Sequence, residues 1–159
     1  RRTSYIVSPA SATHSGSPII LTETDIDNVK RAKAAIYSAS SLLLRHVGLE
    51  YADIAGIFVA GGFGRYLNLR NAITIGLLPD LPVDRYTYLG NASLTGSTAI
   101  ALSKRFREKL DSTARRMTYI NLSSDPGYMD CYTAALFLPH TDMKLFPSVT
   151  PEIDPRRHP

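Results

Sequence analysis

The chain has little cysteine and no long apolar run, and each shortage removes a class of function. Cys131 is the single cysteine among 159 residues. No intrachain disulfide can form, and an iron–sulfur cluster on four thiolates cannot be held by this chain alone. No stretch reaches the length of a membrane-spanning helix, and no charged-then-apolar leader opens the sequence. The cytoplasm is therefore the expected compartment, with no membrane contact. The excess of basic charge is small: eighteen Lys and Arg stand against fourteen Asp and Glu, for a net +4. Its adjacent pairs are scattered from Arg1-Arg2 to Arg156-Arg157, whereas a dedicated nucleic-acid binder concentrates positive charge on one face. No nucleic-acid partner is expected. No Ser-His-Asp or Cys-His spacing supports nucleophilic catalysis, so no catalytic residue is named. His140 and Asp142 are too few to make a metal site. Internal repeats, heptad runs and low-complexity stretches are also missing.

What is present is the composition of a globular domain, 44% hydrophobic and 20% charged. The first residue is Arg1 and not Met, which reads as a domain taken from a longer polypeptide. Residues 1–18 read as an amino-terminal tail in which Tyr5-Ile6-Val7 can pair with Ile19-Ile20-Leu21 as a long-looped hairpin. Residues 19–149 form the domain proper, and residues 150–159 a tail.

A helix is expected to start at Thr24 as its cap and to end at Gly48. Its apolar stripe would be Ile26, Val29, Ala32, Ile36, Ala39, Leu43 and Val47. Lys33 on this helix is either a solvated lysine or a group reaching adenine or ribose. Residues 54–60 form an apolar run without alternation, the mark of a strand buried on both faces in a parallel sheet. A short helix from Leu69 to Leu77 follows, capped by Asn68 and stopped by Pro79. Arg85 to Leu89 is a second strand. A long helix from Leu94 to Arg116 should bury Leu94, Leu102, Phe106 and Leu110. Tyr119 to Leu122 is a third strand candidate, and Asp125-Pro126 opens a last helix ending before Pro139. The tail from His140 onward is expected to pack through Leu145 and Phe146. The tyrosines Tyr37, Tyr86, Tyr88, Tyr119, Tyr128 and Tyr132 read as partly buried with wet hydroxyls. Helices alternating with strands make the fold class α/β, with helices covering a sheet.

The chemistry concentrates where strands end in glycine. Ile57-Phe58-Val59-Ala60-Gly61-Gly62-Phe63-Gly64 delivers bare backbone to the carboxyl edge of a sheet, where ligands bind in open α/β folds. Without a Cβ, glycine lets a base or a phosphate approach the main chain, and its N–H groups become donors. The bland alternative is a tight turn or a helix-packing point. The segment is not a Walker loop, since no Gly-Lys-Thr or Gly-Lys-Ser follows, and Leu67 stands where a dinucleotide fingerprint needs its third glycine. A second strand end, Tyr88-Leu89-Gly90-Asn91-Ala92-Ser93-Leu94-Thr95-Gly96, has small residues and an amide that can line the same crevice. Its alternative reading is a helix cap, with Gly96 allowing close packing.

Longer strings carry a family likeness. Thr24-Asp25-Ile26-Asp27-Asn28, Arg31-Ala32-Lys33-Ala34-Ala35-Ile36-Tyr37, and Val59-Ala60-Gly61-Gly62-Phe63-Gly64 closely resemble the reductive activators of corrinoid proteins. So do residues 72–82, Ala72-Ile73-Thr74-Ile75-Gly76 onward through Pro79-Asp80-Leu81-Pro82, and the ending Ala135-Leu136-Phe137-Leu138-Pro139-His140-Thr141-Asp142 through Leu145-Phe146-Pro147. The resemblance runs from about Ile19 to Val149.

It implies an ATPase fold of the actin, sugar-kinase and heat-shock-chaperone type, which is ribonuclease H-like. It also implies ATP with Mg²⁺ as cofactor in the intact protein, and an iron–sulfur cluster in an amino-terminal part outside this chain. The implied activity is return of cob(II)alamin to cob(I)alamin in a corrinoid protein of a methyltransferase system, such as an acetogen's O-demethylase. Gly61, Gly62 and Gly64, with Phe63 between them, match the adenosine-contacting loop of the superfamily. Gly90, Asn91, Ser93 and Lys33 are further candidates for the same pocket. One departure matters: Asp125-Pro126-Gly127-Tyr128 is a poor imitation of a phosphate loop and reads better as a helix start. The chain alone is then expected to bind nucleotide weakly or not at all, and not to hydrolyse it. A competing reading is a docking or dimerisation module that grips the corrinoid protein or a second copy of itself. A small-molecule kinase is disfavoured for want of a general base.

Overall fold

The computed structural model describes residues 3–149, except the side chains of 63, 65 and 123, and its longest element is the helix α1, Glu23–His46. The cap is Thr22 and not Thr24: its hydroxyl accepts from the Asp25 N–H, while the Asp25 carboxylate accepts from the Thr22 N–H at 2.8 Å. This reciprocal box satisfies two donors that the first turn leaves free. The Thr22 hydroxyl, which also donates to the Asp25 carboxylate, and then the Thr22 N–H hold that carboxyl below the usual carboxylate range. At the other end, Gly48 takes φ 70°, with Leu49 N–H donating to Leu44 O and Gly48 N–H to Arg45 O. That is the glycine-closed terminus the sequence predicts.

The burial of α1 corrects the expected stripe. Lys33, Ala34, Tyr37, Ser38 and Leu42 face the interior, whereas Ile26, Val29, Ile36, Leu43 and Val47 are exposed. The inner residues are small or hydrogen-bonding because α6, Tyr128–Ala135, packs across them. Ala34, Ser38 and the buried Ala135 let the two backbones approach, and the Ser38 hydroxyl donates to Ala34 O at 2.6 Å. Period 3.6 was a correct reading of helix, but periodicity alone does not say which face finds a partner.

Two small sheets flank this helix pair. Strands β1, Ser4–Ser8, and β2, Ile19–Thr22, form the antiparallel hairpin that the sequence suggests, with Ile6 opposite Ile20. Strands β3, Ile57–Ala60, and β4, Tyr86–Gly90, pair in parallel. β3 is not buried on both faces. Ile57 and Val59 pack on the core, while Phe58 is 70% exposed.

Three further expectations are revised. The helix α3, Leu69–Thr74, has the predicted Asn68 cap but closes before Pro79, at Gly76 with φ 75°. Gly76 N–H donates to Ile73 O and Leu77 N–H to Ala72 O, the same glycine closure as in α1. The expected long helix is broken into α4, Ala92–Leu102, and α5, Lys104–Ala114. Ser103 is extended there, and its side chain accepts from Phe106 N–H to start the second helix. Leu94, Leu102, Phe106 and Leu110 are exposed and not a buried face. Residues 117–121 form no strand, Leu122–Ser124 is a single 3₁₀ turn, and Tyr119 is 86% exposed. A strand is defined by its partner, and none lies beside this segment among the described residues.

The core gathers Tyr37, Ile73, Leu81, Tyr86, Ala135, Phe146 and Val149. Phe146 from the carboxy-terminal segment is 0% exposed and meets the Tyr37 ring at 5.5 Å, so that segment does pack, although Leu145 beside it is exposed. Tyr37 and Tyr86 are fully buried, and burial raises both hydroxyls well above the usual tyrosine range.

Candidate functional site

The two glycine turns, far apart in sequence, meet at one end of the parallel pair. Ala60 lies opposite Gly90 in the ladder, and Gly61 N–H donates to Gly90 O at 2.6 Å. Gly61 and Gly90 have φ of 93° and 63°, a conformation that side chains rarely adopt. From these turns the chain enters α2, Gly62–Tyr66, and α4, so both connections leave from the carboxyl ends of parallel strands. The Tyr88 hydroxyl donates to Leu67 O and ties β4 to the end of α2.

The glycines differ in what the fold requires of them. A Cβ on Gly64 would lie 2.7 Å from Val59 Cγ1, so its bareness lets α2 fold back on β3. Gly62 has an ordinary φ and nothing within 4 Å of a built Cβ. Neither backbone conformation nor neighbouring atoms call for glycine there, and the main chain lies bare to open space. Gly96 is likewise in open space, which removes the close-packing reading for it. Asn91 is a cap, its side-chain oxygen accepting from Leu94 N–H at 3.1 Å, and Ser93 is exposed in the first turn of α4. Phe63 lies in the first turn of α2.

Lys33 is neither a solvated lysine nor free to reach a ligand. It is 1% exposed, and its ammonium donates to Phe137 O and, at 2.6 Å, to Pro139 O. Burial, with Lys30 adding like charge, pushes its pKa down to about 8. Beside it, His140 stacks on Phe146 and is held below the usual histidine range by burial and by the Lys33 charge. This cation is a strut between α1 and the segment after α6.

A hollow of about 380 Å³ lies next to α2, lined by Tyr66, Leu67, Asn68, Asn71, Ala72 and Ile75. Asn68 was legible as a helix cap, and nothing in the sequence signalled that Tyr66 and Asn71 share a hollow with it. Neither this hollow nor two further cavities, one beside Tyr51 and Lys144 and one beside Arg70 and Ser148, is lined by Gly61, Gly62, Gly64, Gly90, Asn91 or Ser93. Among the described residues no group of three or more His, Cys, Asp and Glu side chains is placed to hold a metal ion. Among the same residues no helix is long and apolar enough to cross a membrane.

Parallel strands that end in abutting glycine turns, each feeding a helix, mark an α/β domain, and comparison with known proteins makes it one of the actin-like ATPase, or ASKHA, class. The solved structure of a "Reductive activator for corrinoid,iron-sulfur protein" matches 92% of this chain at TM-score 0.86 and 42% identity. The family model described as "C-terminal domain of RACo the ASKHA domain" matches residues 1–150, and the chain belongs to that family. It is 37% identical over 117 residues, 74% of its length, to "Corrinoid activation enzyme RamQ" of Eubacterium limosum. It is 26% identical over 103 residues, 65% of its length, to "[Co(II) methylated amine-specific corrinoid protein] reductase" of Methanosarcina barkeri. The matched part is 20% and 19% of those two proteins and 23% of the solved chain.

Proposed function

We propose that this chain is the nucleotide-responsive part of a cytoplasmic activator that uses ATP to drive reduction of cob(II)alamin to cob(I)alamin in a corrinoid protein. The observation that carries the nucleotide reading is the Gly61 N–H to Gly90 O bond, which brings two bare-backbone turns side by side with Gly62 open beside them. The relatives' printed activities supply the corrinoid half. Gly61, Gly62 and Gly64 would contact the adenosine, and Gly90, Asn91 and Ser93 would line the opposite wall. Backbone N–H groups at such turns can donate to a sugar or a phosphate without any side chain. Lys33 is withdrawn from the site, since its ammonium is held by carbonyls in the core.

The residues present fit a nucleoside better than they fit Mg²⁺, for which the described residues offer no ligand cluster. ATP would supply the driving force for an uphill electron transfer. What this chain's residues do is hold the base and ribose and shield them from water. The metal and the iron–sulfur cluster would be held by other parts of the polypeptide. A ligand can shift only a conformation that it prefers, so coupling requires that the crevice differ between the reduced and oxidised partner complexes.

Calorimetric titration of the chain with ATP and Mg²⁺, repeated with Gly62→Val, tests this. Weak saturable binding that disappears in the variant, with an unchanged melting curve, is the expected result. Binding that survives in Gly62→Val would move the nucleotide off this loop. No binding to the folded parent would show that this chain does not hold adenosine by itself.

A further inference from the structure

Tyr51 lines a hollow of about 470 Å³ to which none of the glycine turns contributes. That volume falls in the roughly 300–1,000 Å³ range of small-molecule sites, which combine a mainly apolar lining with a few polar groups that orient the ligand. Part of the lining comes from the end of α1 and the stretch after it, with Leu44, Leu49 and Glu50. Another part comes from the carboxy-terminal segment, with Lys144 and Leu145. The Tyr51 hydroxyl is engaged by Ser40 and Ser41, at 2.7 and 3.1 Å, so what this residue leaves to the hollow is a ring packed 5.6 Å from that of Tyr37. Leu49 and Leu145 stay 43% and 45% exposed, apolar surface that a ligand would cover.

Four charged residues share this lining, and two of them are already engaged. Ser148 donates from its N–H and its hydroxyl to the two carboxylate oxygens of Asp80, at 2.7 and 2.6 Å. Arg45 turns a guanidinium N–H to Cys131 Sγ at 3.1 Å. Glu50 and Lys144 are left. Among the described residues neither takes part in an ion pair, with the other or with anything else, although both line one hollow. Opposite charges on separate segments, too far apart to pair and set beside apolar surface, are complementary to a molecule charged at both ends.

We propose that this hollow binds a small zwitterion whose ammonium and carboxylate are held apart by an apolar spacer, an ω-amino acid. Its carboxylate meets Lys144, its ammonium meets Glu50, and its spacer lies on Tyr51 and Leu49. A molecule with one charge leaves either Glu50 or Lys144 without a counter-ion, and a simple anion is also repelled by Glu50 and Asp80. The site shares no residue with the glycine turns, so it and the nucleotide reading can fail separately.

Calorimetric titration of the chain with para-aminomethylbenzoate tests this, with benzylamine and benzoate as singly charged controls. The zwitterion should bind saturably and about fivefold tighter than either control, the upper end of what one exposed ion pair contributes. Lys144→Met should remove its advantage over benzylamine, and Glu50→Gln its advantage over benzoate. Both side chains are exposed, so neither substitution should move the melting curve. Backbone amide shifts on binding should gather at Leu49, Tyr51 and Leu145 and spare Gly61 and Gly62. No saturable binding to the folded chain would overturn the proposal. So would controls that bind as tightly as the zwitterion, or an advantage that survives both substitutions. Shifts centred on the glycine turns would place the zwitterion elsewhere and overturn it as well.

Discussion

On the inner side of α1, Lys33, Ala34, Tyr37, Ser38 and Leu42 are buried, while on the outer side Val29, Ile36 and Leu43 meet solvent. By hydropathy alone the assignment would be reversed. The inner side works because each polar group in it has a partner: Lys33 has two carbonyls, and the Ser38 hydroxyl has Ala34 O. Its small residues admit α6, and close helix contact there excludes water as well as bulky side chains do elsewhere. The outer side has strong hydrophobic character and nothing against it. Burial therefore depends on what packs alongside and on hydrogen-bond satisfaction, and only secondarily on the side chain's own preference.

Four substitutions sharpen this contrast, each read by urea or thermal melting of the chain. Phe146→Ala removes the fully buried ring against Tyr37 and should cost about 3–5 kcal/mol. A loss below 1 kcal/mol would mean that the carboxy-terminal segment does not close the core. Gly76→Ala comes next, at about 2–3 kcal/mol, because its φ is 75° and the added Cβ would sit 2.2 Å from Pro139 O. If it is neutral, the packing of α3 on the Pro139 segment is wrong.

Lys33→Met should cost about 1–3 kcal/mol near neutral pH by leaving the Phe137 and Pro139 carbonyls without their donor. Its pH dependence is more diagnostic than its size. The folded pKa of Lys33 is held at about 8 against an ordinary 10.5, so in between the unfolded chain binds a proton that the folded chain lacks. Stability contributed by this group thus rises with pH from about 8 toward 10. Above the ordinary tyrosine range, buried Tyr37 and Tyr86 act oppositely, because they stay protonated in the fold while the unfolded chain ionises. The methionine variant should lose the rise between pH 8 and 10 and keep the later fall. A parent whose stability is flat across pH 8 to 10 would contradict the burial of Lys33. The smallest effect belongs to the outer side: Leu43→Gln in the isolated chain should stay within about 0.5 kcal/mol of the parent. A loss of 2 kcal/mol would erase the distinction between the two sides.

Several local signals were legible where a residue acts on the backbone next to it. Asn68 as a cap, Gly48 as a helix terminator, the Tyr5–Ile20 region as a hairpin, and the glycine turns after two strands all follow from φ preferences and short-range hydrogen bonds. Ser103 was a missed signal of the same kind. A serine after an apolar run can cap a new helix as readily as sit inside an old one, and here it splits the segment into α4 and α5.

The sequence by itself determined most element types, the family, and the two strand ends where bare backbone gathers. It did so because glycine, capping residues and hydrophobic period act over a few residues, and because the family's strings are long. Only the tertiary structure decided that Gly61 bonds to Gly90, that Lys33 lies in the core with its charge on two carbonyls, and that the apolar stripe of α1 faces outward. Those are pairings between distant segments, and their free energies depend on the partner's shape and polar groups, which no local pattern records.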